Sequence, residues 1–265
     1  MIVCADDFGL ADDINHAVID LAERGRISAV SCMVALEGFD RDAFSRLLKL
    51  ADRLDIGLHL TLTDIAPVHP VAGVASLVHS TGSFVSMGQL FRKGLCGRLD
   101  PSDVAREAGA QFERFTAFAG RPPDYLDSHL HVHQFAGVRE GVLQFFATLD
   151  PETAPYIRNT AMTLRKIIRQ GVSPLKCYAI GQSGRAFQRA VRKRGWKTNG
   201  GFAGVYAYDG YTSYPDHLER FVVNMEGEDG ILMTHPGEVE SWRRIEYETL
   251  RDAGILAGRV DRFRR

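Results

Sequence analysis

No apolar run in this chain approaches the roughly 20 residues needed to cross a bilayer, so a membrane-spanning helix is not expected. Cysteine is scarce and scattered: Cys4, Cys32, Cys96 and Cys177 show no Cys-x-x-Cys spacing, which argues against a disulfide frame or a thiolate metal site. There is no glycine-rich phosphate loop, and no serine or cysteine sits in a nucleophile elbow. The opening Met1-Ile2-Val3-Cys4-Ala5-Asp6-Asp7 lacks the charged start and cleavage site of a secretory signal, so a cytoplasmic location is expected. Acid is missing from Thr153 to Tyr208, where Arg158, Arg165, Lys166, Arg169, Lys176, Arg185, Arg189, Arg192, Lys193, Arg194 and Lys197 lie. Two readings stay open for that stretch: a solvated face with acidic partners elsewhere, or a rim favouring an anionic substrate or a peripheral membrane contact. Nucleic acid is not an expected partner, because no aromatic interleaving or binding motif accompanies the charge.

What is present is a balanced globular composition: 265 residues, 45% hydrophobic, 25% charged, net charge −1. One domain over residues 1–265 accounts for it. Short apolar strands are predicted at 1–5, 27–35, 55–62, 154–159 and 230–234. Helices are predicted at 44–54, 138–149, 187–195 and 242–253, with one after the first strand (face Ile14, Val18, Leu21) and one from Asp100 to Gly120. Strands alternating with helices at this spacing predict parallel βαβ units. Residues 63–100, rich in Pro and Gly, interrupt the rhythm as a loop-rich excursion.

The densest chemistry is Asp127-Ser128-His129-Leu130-His131-Val132-His133. On an extended strand every second side chain shares a face, so Asp127, His129, His131 and His133 are expected to line one side. Such a ladder suits a metal site; an exposed histidine-rich loop is the plainer alternative. Asp6-Asp7, His59, Arg158 and His235 fall at or near the ends of other strands. In a parallel α/β barrel those ends converge on one mouth. An acid with two histidines can hold a divalent ion, a second carboxylate can act as general base, and a histidine across the pocket can protonate a leaving nitrogen. Asp6, Asp7, His59, His129 and His235 match that set. Taken singly, Asp6-Asp7 also reads as a turn and helix cap, and His59 as a core imidazole.

Ala5-Asp6-Asp7-Phe8-Gly9-Leu10, Gly57-Leu58-His59-Leu60, the 126–133 run and His235-Pro236-Gly237 occur in the order and spacing of the YdjC-like carbohydrate deacetylases. The chain resembles that family, which includes chitooligosaccharide and hopanoid-biosynthesis-associated deacetylases, from residue 2 to about residue 237. The resemblance implies a single-domain α/β fold, a distorted (β/α) TIM-like barrel of the glycoside hydrolase/deacetylase type. It implies metal-dependent removal of an N-acetyl group from an amino sugar, with one divalent ion, Mg2+ or Zn2+. The implied ligands are Asp7, His59 and His129. Asp6 is implied as base, His235 as acid and Arg158 as the group orienting Asp6; Asp127, His131 and His133 are left to support the ligands or touch substrate. The expected substrate is an acetylated amino sugar, anionic or lipid-linked, on the strength of the basic stretch and the tail arginines Arg259, Arg262, Arg264 and Arg265. A homodimer is the expected assembly. The competing readings are a metal-dependent sugar isomerase or lyase on the same barrel and a non-catalytic glycan-binding protein.

Overall fold

A computed structural model describes residues 1–210, 213–225 and 229–263. Arg264 and Arg265 lie outside the described residues. Along the chain come β1 (Ile2–Phe8), α1 (Asp12–Glu23), β2 (Ala29–Cys32), α2 (Arg41–Leu48), β3 (Asp55–Leu60), α3 (Met87–Leu95), α4 (Pro101–Ala119), β4 (Tyr125–Ser128) and α5 (Val138–Phe146). They are followed by β5 (Tyr156–Ile157), α6 (Leu164–Gln170), α7 (Pro174–Lys193), β6 (Gly201–Ala203), α8 (Tyr214–Met225), β7 (Gly230–Thr234) and α9 (Ser241–Asp252).

The seven strands form one parallel sheet in the order β5-β4-β3-β2-β1-β7-β6. Every residue of β1, β3 and β7 is buried, as expected of parallel strands covered on both faces. The helices are cut by local chemistry. α4 begins where the Asp100 carboxylate accepts from Ser102 N and Pro101 takes the first turn, and it stops at left-handed Gly120,.

The expected TIM-like closure takes a different form. The edge strands β5 and β6 share no ladder. The gap is bridged by residues 197–199: one β-bridge joins Ile157 to Thr198, and Ile157 N donates to Lys197 O. Asn159 and Asn199 exchange amide hydrogen bonds with each other's side chain and backbone. The sheet is therefore a curled half-barrel held shut by an amide clamp.

The histidine ladder does not form. β4 ends at Ser128, and residues 129–134 turn in a tight 3-10 path with Leu130 and His131 both left-handed at φ 56°. Ser128 Oγ accepts from His133 N at 3.0 Å, which caps the break. Leu130 is consequently exposed rather than packed. The 63–100 excursion contains α3 and a Ser86–Gln89 capping box.

The basic stretch is not presented whole on one face. Arg158 is fully buried, Arg185 donates to Met162 O, and Lys197 lines a cavity at the opposite end of the sheet. The tail residue Arg262 is also at that opposite end, paired with Asp55 at the start of β3. No described helix is long and apolar enough to cross a membrane.

Candidate active site

Asp6 and Asp7 are neighbours that face different partners, and a bulge in β1 makes this possible. Ala5 pairs with Val30 and Phe8 with Cys32, so β1 holds one more residue than β2 across this interval,. Asp7 takes up the excess with φ 68°. Gly9 completes the turn because a Cβ there would sit 2.6 Å from the Phe39 ring.

Asp6 is tied by both oxygens to Arg158, at 2.6 and 2.7 Å. The same guanidinium stands 3.0 Å from Asp127. All three groups are nearly or fully inaccessible to solvent. A charge-assisted fork of this kind fixes a carboxylate in direction as well as in place.

Asp7 meets the imidazoles. Its Oδ1 lies 3.0 Å from His129 Nδ1 and 3.4 Å from His59 Nε2, while Oδ2 accepts from Arg243 at 2.7 Å. Burial opposes its charge, but the hydrogen bonds to His129 and His59 outweigh burial and hold the carboxyl well below the usual carboxylate range. On the far side of the His59 ring, Nδ1 lies 2.6 Å from Asp127 Oδ1, which also accepts from Ser31 at 2.5 Å. With Nδ1 donating to Asp127, Nε2 faces Asp7, and it offers a lone pair to a cation only when its own proton has left. Burial works against a charged His59, yet the attraction and hydrogen bond of Asp127 prevail and push it up to about 10.

Ligand atoms of Asp7, His59 and His129 all lie within 4.8 Å of one another. One carboxylate oxygen and two imidazoles suit a single divalent ion, and a carboxylate behind a ligating imidazole is the usual outer support of such sites. Arg243 occupies Asp7 Oδ2, so Asp7 offers one oxygen. The carboxylates that favour positive charge on His59 would equally favour a cation, which would take the place of the Nε2 proton.

His235 follows β7 and closes the opposite wall. Its ring packs edge-on against Tyr208 and Trp242, which also meet each other, and its backbone N donates to Glu246 at 2.6 Å. Burial lowers His235 to about 4 and pushes Glu246 up to about 7, so the imidazole is neutral at neutral pH. His133 lies outside the cavity. Its Nε2 donates to Arg158 O at 2.9 Å, and its Nδ1 therefore accepts from Ser128 Oγ at 2.6 Å. Burial lowers it to about 4, consistent with that neutral tautomer. His131 reaches the cavity with its ring edge-on to Phe202.

Asp6, Asp7, His59, His129, His131 and His235 open onto one cavity of about 580 Å³. The rest of its wall is largely apolar, with Phe91, Phe135, Ile180, Val205 and Met233. Arg158, Asp127 and His133 stand behind it. Arg243 and Glu246 did not enter the sequence-based set. They lie three residues apart on the buried face of α9 with Tyr247 and Leu250, and their only signal was a charged pair on an apolar helix face.

A parallel α/β sheet with a metal-capable Asp-His-His cluster and a separate carboxylate–guanidinium pair at its strand ends defines the class of protein. The chain belongs to the YdjC-like protein family, whose family model matches residues 1–257. It is 34% identical over 145 residues to proteins named chitooligosaccharide deacetylase from Yersinia pestis (strain Pestoides F) and Yersinia pseudotuberculosis serotype O:1b (strain IP 31758). That match spans about half of each partner, 55% of this chain and 54% of the relative. A solved structure described as a cellobiose-phosphate cleavage protein, from Enterococcus faecalis V583, superposes with a TM-score of 0.68. It covers 97% of this chain and 92% of its own at 20% identity, which establishes a shared fold.

Proposed function

We propose that the protein is a metal-dependent N-deacetylase that releases acetate from an acetylated amino sugar. The observation that carries this reading is the side-by-side placement of the Asp7-His59-His129 cluster and the Asp6–Arg158 pair in one cavity. The chitooligosaccharide deacetylase relatives support the same substrate class. The fold is read as an open variant of the (β/α) barrel, acting as a single domain.

Asp7 Oδ1, His59 Nε2 and His129 would hold the ion. When bound, it supplies Lewis acidity, which polarises an amide carbonyl and makes a neighbouring water more acidic. Asp127 keeps the His59 proton on Nδ1, away from the ligand position. Arg158 holds Asp6 in one orientation, and Asp6 takes the proton from the attacking water. His235 faces the departing nitrogen. Because it is neutral at rest, the proton it delivers comes from the reaction itself, taken up as Asp6 releases it. Arg243 keeps Asp7 monodentate and charged. The Tyr208–Trp242 pair shields His235 from water and orients its ring.

The test measures acetate release from acetylated amino sugars by metal-depleted protein, before and after restoring Mg2+ or Zn2+, with calorimetry of ion binding alongside. Activity is expected to return with the ion, and binding to be lost in His59→Ala. Rearrangement of the sugar without acetate release would favour an isomerase or lyase. Glycan binding without turnover under every ion would leave a binding protein.

A further inference from the structure

The two stretches that wall the cavity share a property that the catalytic reading does not use. Residues 65–99 and 153–208 contain no Asp or Glu; all 33 acids of the chain lie elsewhere. The first stretch supplies Met87 and Phe91 to one side of the cavity, and the second supplies Lys176 and Ile180 to the other. Both stretches also expose large apolar side chains, with Leu95 one turn from the cavity-lining Phe91 and Leu175 next to the cavity-lining Lys176. Leu95 on α3 is 64% exposed, and on the α6–α7 hairpin Ile168 is 69% and Leu175 85% exposed. Tyr178 lies one turn beyond Leu175, and Leu130 projects from the left-handed turn between the two walls. Exposed cations are interleaved: Arg92 and Arg98 near α3, Arg165 and Arg169 on α6.

We propose that this mouth face docks on an anionic lipid surface, with the α6–α7 hairpin inserting Ile168 and Leu175 and the arginines meeting the headgroups. Apolar side chains set among cations are the pattern of interfacial binding, where buried hydrocarbon and headgroup attraction add. A large exposed apolar patch of this kind marks an interaction surface. Charge selects the occupant. A second copy of the chain would bring the same predominantly basic surface against itself, whereas an anionic monolayer is complementary to it. α8, packed on α6, contributes Asp216 and Glu219, so the attraction belongs to α3 and the hairpin less those two charges. The apolar cavity wall beyond the metal-capable cluster then receives the hydrocarbon next to a lipid-borne sugar. That last step rests on the deacetylase reading; the docking does not.

The experiment is flotation with vesicles of phosphatidylcholine alone or mixed with phosphatidylglycerol, at low and high salt. Wild type is expected to float with the mixed vesicles, less so at high salt, and not with phosphatidylcholine alone. The double variant Ile168→Asp/Leu175→Asp should lose affinity by about tenfold or more, and Arg165→Glu/Arg169→Glu by a similar factor. Arg192→Glu, near the far end of α7, should change it little. Thermal melts confirm that the variants fold, and turnover of a soluble acetylated amino sugar is expected to be unchanged in them. Failure of wild type to float on anionic vesicles at low salt overturns the proposal. So does equal flotation of wild type and the aspartate variant, or a dimer in solution that this variant dissolves. If wild type releases no acetate from any sugar, the deacetylase reading fails while flotation still decides the docking.

Discussion

The two ends of the sheet are built on opposite terms. At the strand N-termini the buried acids are paired. Asp55 accepts from Arg262 and from Phe263 N, Asp124 accepts from Ile56 N and Arg121, and Phe263 stacks on Tyr156 with centroids 4.0 Å apart. At the C-termini, Asp7, Leu130 and His131 are left-handed, and the buried atoms Gln134 Nε2, His131 Nδ1 and Arg243 Nη1 have no partner. Strain and unmet polar groups of this kind persist only where the surrounding structure holds them, and they cluster at working sites. One end is spent on stability, the other on reactivity.

Mutations should separate the two ends. The largest effect is expected at the mouth: Asp6→Asn should cut acetate release by ~10²–10⁴-fold while calorimetry still finds the ion bound. A smaller loss would break the contrast by removing Asp6 from the chemistry. Next, Arg158→Met leaves Asp6 and Asp127 as buried charges with one partner fewer. It should cost about 3–5 kcal/mol in urea unfolding, as breaking a buried pair does, so this residue behind the mouth also serves stability.

The third effect is on stability against pH. His133 titrates at about 4 in the fold against about 6.5 unfolded. Between those values the unfolded chain binds more protons, so its contribution is full above about 6.5 and is lost as pH falls through 4, worth about 3 kcal/mol. Glu246, raised to about 7, slopes the other way over the same range. The His133 part is therefore read as the difference between wild type and His133→Asn in melts from neutral to acid pH. Fourth, Asp127→Asn should weaken ion affinity ~10–100-fold by freeing the His59 tautomer, again by calorimetry. The smallest effect is expected at the strand N-termini: Phe263→Ala should lose about 1 kcal/mol of stability with acetate release unchanged. A change in turnover there would join the two ends.

Legibility from sequence followed how far each feature depended on local order. β3 and β7 stood out as apolar runs, and the motif resemblance pointed to Asp7, His59 and His129, whose ligand atoms the fold brings within 4.8 Å of one another. The ladder was misread because nothing in Leu130-His131 announces two consecutive left-handed residues. β6 is three residues long and offers no period to detect. The first half of α7 was missed because Gly181 and Gly184 look like loop. They are helical glycines set by close approach: a Cβ on Gly184 would lie 2.5 Å from Ala161 N. The Asn159–Asn199 clamp depends on a pairing across 40 positions, which no local pattern encodes.

Strand order also sets a schedule for synthesis. Every side chain of the Asp7-His59-His129 cluster has been made by residue 129, on strands β1 to β4 that pair with near neighbours in sequence. The other flank of β1 waits for β7, where Ile2 pairs with Ile231, and His235 and Arg243 come later still. A nascent chain, which folds from its N-terminal side, thus contains all three residues proposed to hold the ion about a hundred residues of translation before the group proposed to return the proton exists. On the proposed reading, the residues that would hold the ion are made before those that would use it.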